Sequence, residues 1–156
     1  MLKIDIPDFG QLQLEHLVMD YNGTMAVDGV PVQGIRRRVE KLAERVQVHV
    51  ITADTFGKVT SELEDWSCSV KILGQEDQVG HKLAFIQELG TKNCVCIGNG
   101  RNDRMMLEAA ALGLAVMLEE GTSRESLLSA DIALPGIVPA LDLLLYPLRL
   151  TATLRS

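Results

Sequence analysis

The sequence predicts an α/β fold, a three-layer Rossmann-like sandwich on a mainly parallel sheet, with a small β-hairpin flap. Apolar runs of strand length alternate along the chain with segments whose apolar residues recur at helical spacing. Strands that alternate with helices form parallel sheets covered on both faces. The chain has 156 residues, enough for one domain with a real core and too few for two. We therefore expect a single domain over residues 1–156, without internal repeats or linkers.

Each element follows from periodicity and turn signals. Alternating apolar and polar residues predict half-exposed strands, apolar runs predict buried strands, and apolar residues three or four apart predict helices. Asp28-Gly29 between two short apolar pieces is a hairpin-turn signal, so residues 25–32 should form the flap above Asp20. The predicted strands are residues 2–6 and 12–17, which form a hairpin, then 17–20, 46–52, 69–73, 94–98, 114–118 and 131–134. The predicted helices are residues 34–46, a segment capped by Asp54 or Thr55 that ends near Trp66, residues 79–89, a helix starting at 99–103, a short helix before residue 131, and residues 137–146.

Composition and charge argue against several classes of partner. The net charge of −6 argues against nucleic acid. No apolar run approaches the roughly 20 residues that span a membrane, and the N-terminal residues lack the pattern of a signal peptide. Cys68, Cys94 and Cys96 are typical of a reducing compartment, so we expect a cytoplasmic protein. Cys94 and Cys96 lie in a strand-like run and are expected to pack in the core rather than hold a metal.

Two surface features allow more than one interpretation. Arg36, Arg37 and Arg38 crowd the first turn of a predicted helix, where the helix dipole disfavours cations. We interpret them as a solvated basic face, with contact to an anion or a partner as the alternative. The tail, residues 148–156, keeps three leucines but is too short for a domain, and could dock onto a neighbouring subunit.

Polar residues recur where predicted elements begin or end, at Asp20, Thr52, Lys82 and residues 99–103. Open α/β sheets bind ligands at the carboxyl ends of their strands. Phosphoryl transfer needs a nucleophile, neutralisation of the phosphoryl charge, and positioning. Asp20 offers a carboxylate nucleophile, Thr52 a hydroxyl donor, and Lys82 a cation between the nucleophile and a phosphate oxygen. Each residue singly has an ordinary structural explanation, as a cap, a turn residue or a solvated side chain, whereas the combination in this order predicts phosphoryl chemistry.

The same strand ends offer ligands for a cation and for a phosphate. The carboxylates of Asp20 and Asp103 and a backbone carbonyl near Asn22 are hard oxygens of the kind that Mg²⁺ prefers. Backbone N–H groups that follow Asp20 are donors for a phosphate. The sequence therefore predicts a magnesium-assisted phosphate site.

The chain resembles the haloacid dehalogenase (HAD) superfamily in four motifs. They are Asp-Tyr-Asn-Gly-Thr at residues 20–24, Thr52, Lys82, and Gly-Asn-Gly-Arg-Asn-Asp at residues 98–103. The first and last motifs are most similar to the phosphorylation domain of P-type ATPases and its soluble relatives, and the resemblance extends over residues 12–146. It implies that Asp20 is the phosphorylated aspartate, that Thr52 binds the phosphate and that Lys82 stabilises it.

The resemblance also implies a complete candidate site in an open cleft. The intervals between the motifs leave no room for the cap domain of many relatives, and capless sugar-acid phosphatases of the superfamily close their sites by oligomerising. We expect such a homo-oligomer interface at the last helix, at Leu143, Leu144 and Leu145, and at the tail. The candidate residues are Asp20, Asn22, Thr52 and Lys82 for catalysis, Tyr21, Gly23, Thr24, Ala53 and Asn102 for substrate binding, and Asp20, Asn22, Asn99 and Asp103 for magnesium.

Two positions depart from the family pattern. Phosphatases of the family carry Asp two residues after the nucleophile, as general acid and base, and this chain carries Asn22. An amide cannot exchange the proton, and such catalysis is worth ~10²–10⁴-fold. The metal loop of the family carries Asp where this chain has Asn99, so magnesium should bind more weakly. P-type ATPases also lack the first Asp and react with good leaving groups, so we expect aryl and acyl phosphates to react better than alkyl monoesters.

Three functions are open at this stage. We favour a Mg²⁺-dependent phosphohydrolase that acts on a small phosphorylated substrate through an aspartyl-phosphate. A regulatory or phosphate-binding scaffold without turnover is the second candidate, and both Asn substitutions favour it. The third is a receiver domain, which also uses Asp, Thr and Lys. A receiver places an acidic pair at its first strand, and no such pair precedes Asp20.

Overall fold

The computed structural model describes residues 1–54 and 57–156, so Thr55, one of the two predicted helix caps, lies outside the described residues. The strands are β1 (Leu2–Ile6), β2 (Gly10–Leu14), β3 (His16–Asp20), β4 (Ala26–Val27), β5 (Val30–Pro31), β6 (Gln47–Thr52), β7 (Ser69–Ile72), β8 (Cys94–Gly98), β9 (Leu112–Val116) and β10 (Ile132–Leu134). The helices are α1 (Ile35–Ala43), α2 (Lys58–Glu62), α3 (Gln78–Leu89), α4 (Arg104–Ala109), α5 (Arg124–Ser129), α6 (Ile137–Leu145) and α7 (Pro147–Leu154), and 3₁₀ turns cover Thr91–Asn93 and Arg101–Asp103.

Six of the strands form one parallel sheet in the order β10-β9-β8-β3-β6-β7. β8 is buried along its whole length and β3 along most of it, which explains their nearly continuous apolar sequences. Helices α1 and α6 pack on one face of the sheet, and α3 and α4 pack on the other. The predicted three-layer sandwich is therefore confirmed. Cys94 and Cys96 are buried in the core between the sheet and helices α3 and α4, as expected for packing residues.

The two predicted hairpins are also present. β1 pairs with β2, and β4 pairs with β5, in antiparallel register. Asp28 and Gly29 connect β4 to β5 with positive φ angles of 51° and 79°, the backbone of a tight hairpin turn. The Tyr21 hydroxyl donates a hydrogen bond to the Gly29 carbonyl at 2.9 Å, which fastens the tip of the flap to the residue after β3.

The sheet order brings the predicted site residues to one edge. β3 lies between β6 and β8, parallel to both. Asp20 ends β3, Thr52 ends β6 and Asn99 follows β8. These three residues therefore meet at the carboxyl edge of the sheet, where α/β folds bind ligands.

Several predicted boundaries are wrong, including the end of α1, which lies at Ala43 instead of residue 46. The strand expected over residues 12–17 is divided at Glu15, whose own N–H donates to the Asn93 carbonyl while its carbonyl accepts from the N–H of Gln47. β9 covers Leu112–Val116, two residues earlier than the predicted strand over residues 114–118, and the backbone of α4 packs closely against its Gly113. A Cβ at Gly113 would lie 2.4 Å from the carbonyl oxygen of Leu107.

The second predicted helix, α2, is shorter than expected. It follows Gly57, which has a φ of 68°, and ends at Glu62 instead of near Trp66. Asp54 still contributes to its first turn, because its Oδ2 atom accepts a hydrogen bond from the N–H of Val59 at 2.9 Å.

The expected oligomer interface at the C-terminus stays a prediction, but three of its leucines are not available for it. Leu143 and Leu144 on α6 are buried in the core of the same chain, and so is Leu150 on α7. The tail forms a helix that packs on β1 instead of a free segment. Tyr146 and Leu148 are exposed, Leu148 to 85%. Leu150, and partly Leu154, therefore serve packing within the chain, whereas Leu148 does not.

Within residues 1–54 and 57–156, no single helix is long and apolar enough to cross a membrane. Helices α6 and α7 pass that test only as a pair, by length and composition, and they are bent by 100° where they meet.

Two of the three arginines of α1 have partners within the chain. Arg38 makes a bidentate contact with Asp142 on α6, at 2.7 Å and 3.2 Å. Arg36 donates to Glu40 one turn later at 3.0 Å. The interpretation as a purely solvated face is therefore wrong for Arg38, which fastens α1 to α6.

Candidate active site

A buried ion triad lies at the carboxyl edge of the sheet. The Lys82 Nζ atom is 2.6 Å from Asp20 Oδ1 and 2.6 Å from Asp103 Oδ1. Only 1% of Lys82 is exposed. It is the fifth residue of α3, which begins one residue before the predicted start. The structure thus brings together three of the predicted residues from separate elements, and a buried ammonium group is tolerated only with such partners.

The triad shifts the protonation of its members. Burial, and then the negative charge of Asp103, raise the pKa of Asp20 from 3.8 to about 7, against the opposing effect of Lys82. Burial alone would lower the pKa of Lys82, but the carboxylates of Asp20 and Asp103 more than offset it and raise that pKa above 10.5. With both carboxylates ionised, the triad carries one net negative charge, so Asp20 takes up a proton more readily than an exposed carboxyl.

Both carboxylate oxygens of Asp103 are already bonded. Oδ1 accepts from Lys82, and Oδ2 accepts from the N–H groups of Asn99 and Gly100, each at 2.9 Å. The side chain is fully buried. A Cβ at residue 98 would lie 2.6 Å from this carboxylate, so the loop requires Gly98. The Asp103 carboxylate therefore holds Lys82 and the loop, and its role as a magnesium ligand stays a prediction.

Thr24 connects Asp20, the candidate nucleophile, to Asn99 in the loop after β8. Its hydroxyl oxygen lies 3.3 Å from Asp20 Oδ2 and 3.1 Å from Asn99 Oδ1. The amide group of Asn99 is held from its other side, because Nδ2 donates to the Gly121 carbonyl at 3.1 Å. Gly23 has a φ of 76°, and a Cβ there would lie 2.5 Å from Asn99 Nδ2. Thr24 is fully buried and holds Asp20 Oδ2 and Asn99 Oδ1 in place.

An open cleft of about 400 Å³ lies above the triad. The residues that line it are Asp20, Asn22, Thr52, Ala53, Asp54, Gln78, Asn99, Gly100, Asn102 and Glu120. Six of the predicted site residues are among them, namely Asp20, Asn22, Thr52, Ala53, Asn99 and Asn102. The other predicted residues, Tyr21, Gly23, Thr24, Lys82 and Asp103, do not line the cleft.

Four cleft residues were not among the predicted site residues: Gly100, which has no side chain, and Asp54, Gln78 and Glu120. Asp54 follows β6 by two residues, and its N–H donates to the Thr52 hydroxyl at 3.2 Å. Gln78 accepts a hydrogen bond from the amide of Asn102, which links the start of α3 to the metal loop. Glu120 lies on the loop after β9. The signal available in the sequence was their position near the carboxyl ends of predicted strands, which applies to many other polar residues as well.

The residues present fit a divalent cation that a substrate phosphate helps to hold. Among the described residues, no three His, Cys, Asp or Glu side chains form a group that could hold a metal by themselves. Magnesium in phosphoryl-transfer sites is held by one or two carboxylates together with substrate phosphate and water. Asp20, the amide oxygen of Asn99 and the backbone carbonyl of Asn22 are the groups that would hold it here.

Sequence comparison finds curated proteins that are similar to this chain. No protein-family model matches the sequence. The chain is 44% identical over 79 residues to the uncharacterised protein MJ0073 of Methanocaldococcus jannaschii, covering 48% of this chain and 85% of that protein, so the two chains belong to one family. It is 24% identical over 144 residues to the phospholipid-transporting ATPase NEO1 of Saccharomyces cerevisiae, covering 92% of this chain and 11% of the ATPase.

A solved structure confirms the type of fold. The crystal structure of 3-deoxy-D-manno-octulosonate 8-phosphate phosphatase from Moraxella catarrhalis, in complex with magnesium, phosphate and KDO, is similar with a TM-score of 0.67. The sequence identity is 17%, and the match covers 86% of this chain and 87% of that chain. At this identity the similarity shows that the two proteins share a fold.

Proposed function

We propose that this chain, which belongs by its fold to the haloacid dehalogenase superfamily, is a phosphohydrolase that works through an aspartyl-phosphate on Asp20. The observation that carries the proposal is the buried ammonium of Lys82, shared between Asp20 and Asp103 directly beneath an open polar cleft. A buried ion triad is a poor way to gain stability. It is a good way to hold a nucleophile beside a fixed cation.

The reaction has two steps. In the first, a carboxylate oxygen of Asp20 attacks phosphorus, the bond to the leaving group breaks, and the leaving group takes the electron pair. In the second, water attacks the same phosphorus, and the bond between phosphorus and Asp20 breaks to release phosphate. Lys82 holds the attacking carboxylate in place, while Thr52 and Asn102 line the cleft as donors to the phosphoryl oxygens. A bound magnesium ion would supply further neutralisation of the phosphoryl charge.

The leaving group has to depart without a proton from residue 22. Asn22 lines the cleft, but an amide is not a general acid at neutral pH. Activated phosphates such as aryl and acyl phosphates leave without protonation and are therefore the preferred substrates. The phosphoenzyme is correspondingly long-lived, because the same position supplies no base to activate the water.

The cleft favours a small substrate whose leaving group is uncharged. Among its lining residues, the charged side chains are Asp20, Asp54 and Glu120, all acidic. Arg101, a candidate for binding an anionic substrate, does not line the cleft and instead pairs with Glu125 at 3.1 Å. A carboxylate or a second phosphate on the leaving group would therefore be repelled by Asp20 and Glu120.

A non-enzymatic, phosphate-binding role is the second candidate, favoured by the neutral residues Asn22 and Asn99. The two roles are separated by hydrolysis of acetyl phosphate and p-nitrophenyl phosphate with Mg²⁺, compared between wild type and Asp20→Asn. Trapping by beryllium fluoride, observed as a stoichiometric adduct, is measured on the same proteins. Hydrolysis and trapping that both disappear in the variant support the enzyme. Trapping without any turnover supports the scaffold, and equal behaviour of both proteins overturns both roles.

A cytoplasmic location and a homo-oligomer that covers the open cleft also belong to this proposal. The C-terminal side chains left for such an interface are the exposed Tyr146 and Leu148. Mass measurement in solution at several protein concentrations tests the oligomer, and a monomer at all of them would contradict it.

A further inference from the structure

We propose that Glu120 supplies the cation site with the negative charge that Asn99 lacks, so that the divalent ion is held between Asp20 and Glu120. The inference rests on the proposed function, because it concerns the same cation. It assigns a role to a residue that sequence motifs do not single out.

The fold carries Glu120 to the side of the cleft on which Asn99 lies. β9 is the neighbour of β8 in the sheet and runs parallel to it, so the loop after β9 and the loop after β8 leave the same edge. Asn99 joins the two loops, because its Nδ2 atom donates to the Gly121 carbonyl at 3.1 Å and its carbonyl accepts from the N–H of Ser123 at 2.8 Å. The residue before Gly121 is thereby held next to the metal loop.

The carboxylate of Glu120 and the side-chain amide of Asn99 both lie close to Gly23. A Cβ at Gly23 would lie 2.5 Å from Asn99 Nδ2 and 2.8 Å from Glu120 Oε2. Both side chains therefore cover Gly23, three residues after Asp20, and both line the cleft together with Asp20. Three oxygen-bearing groups, one from each of three elements, thus meet on one side of the cleft.

The carboxylate is also available to bind. In the part of the chain that the structure describes, Glu120 has no hydrogen-bond partner and no ion pair, whereas both oxygens of Asp103 are bonded. The charges favour a cation at this point. The ion triad carries one net negative charge when both of its carboxylates are ionised, and Glu120, like Asp54, adds a further negative charge to the cleft.

The alternative is that Glu120 acts as a general acid in place of Asn22. The geometry favours the cation, because the Glu120 carboxylate lies close to Gly23 and to the Asn99 amide at the cleft. If Glu120 were a general acid, removal of its carboxyl group would leave cation affinity unchanged and would alter the pH profile of hydrolysis instead.

Mn²⁺ binding to the full chain, followed by electron paramagnetic resonance without substrate, tests the inference. We expect Glu120→Gln to weaken Mn²⁺ binding at least about tenfold, the loss that even an outer partner of a metal ligand causes. Glu119→Gln is the matched control, since Glu119 is an exposed neighbour that does not line the cleft, and it should change affinity less than about twofold. In an Asn99→Asp background, the effect of Glu120→Gln should shrink, because the site again has two carboxylates.

Each outcome has one meaning. If wild type and Glu120→Gln bind Mn²⁺ equally well while Asp20→Asn binds it more weakly, the role of Glu120 is overturned and the proposed function is left standing. Mn²⁺ affinity that Asp20→Asn does not change places the ion elsewhere and overturns the proposed cation site itself. An unchanged unfolding midpoint of Glu120→Gln excludes misfolding as the cause of weaker binding.

Discussion

Replacement of Lys82 by Met tests the buried ion triad most directly. The substitution keeps the unbranched side chain up to its last atom and removes the ammonium group that lies 2.6 Å from each of two carboxylates. Asp20 and Asp103 would then face each other in a buried site with nothing between them. Removal of one partner of a buried ion pair costs about 3–5 kcal/mol. We expect a loss of free energy of unfolding of that size at pH 8.

The pH dependence of the loss identifies its cause. A carboxyl group whose pKa is raised in the folded state binds more protons there than in the unfolded state. Its contribution to stability is therefore present at low pH and is lost as pH rises toward the folded pKa. In wild type that window runs from 3.8 to about 7 for Asp20. Without Lys82 the pKa rises further, so the window extends above 7 and the loss of stability should be smaller at pH 5 than at pH 8.

Urea unfolding followed by circular dichroism at pH 5 and pH 8 measures these differences. The matched control is Lys92→Met, since Lys92 is exposed on the 3₁₀ turn before β8 and should change stability by less than about 0.5 kcal/mol. A loss below about 1 kcal/mol for Lys82→Met, or an equal loss at both pH values, would refute the reasoning, because neither result is compatible with two uncompensated buried carboxylates.

Three further predictions concern the cleft. A ligating carboxylate must be ionised, and the pKa of Asp20 is raised to about 7. Mn²⁺ affinity measured by calorimetry should therefore rise about tenfold per pH unit below pH 7 and level off above it. An affinity that does not change with pH would contradict the raised pKa. Asn22→Asp should speed hydrolysis of an alkyl monoester by up to about 10²-fold, measured as phosphate release, and a loss of rate would count against the assignment of that position. Gly23→Ala should weaken Mn²⁺ binding and lower the unfolding midpoint, because its Cβ would lie 2.5 Å from Asn99 Nδ2 and because φ is positive. The control is Gly10→Ala, at a φ of 130° with open space around its Cβ, which should lower the midpoint without weakening Mn²⁺ binding.

The order of elements and the main site positions were predictable because they depend on local patterns. A buried strand needs a continuous apolar run, and a parallel sheet places the end of each such run at one edge. Asp20, Thr52 and the loop after β8 could therefore be placed together without knowledge of any contact. The flap was predictable for the same reason, since Asp28-Gly29 favours only a small number of backbone turns.

Contacts between distant residues were not predictable in this way. The leucines of the tail have the same pattern whether they cover the core of their own chain or that of a neighbour, and the structure shows that Leu150 covers its own. Arg38 gives no local sign of its partner Asp142, which lies 104 residues away. Glu120 resembles any polar residue of a surface loop until the order of β8 and β9 brings it over the cleft.

The sequence by itself determined the layered α/β architecture and the polar residues at its ligand-binding edge, because periodicity and strand termination are properties of short segments. Only the tertiary structure decided what each of these residues contacts. Asp103 is fully buried and bonded to Lys82, 21 residues away, and does not line the cleft, while Glu120 lines the cleft with no hydrogen-bond partner or ion pair among the described residues. The distinction arises because a carboxylate has few bonding positions, and which groups fill them depends on the packing of segments that are distant in the chain.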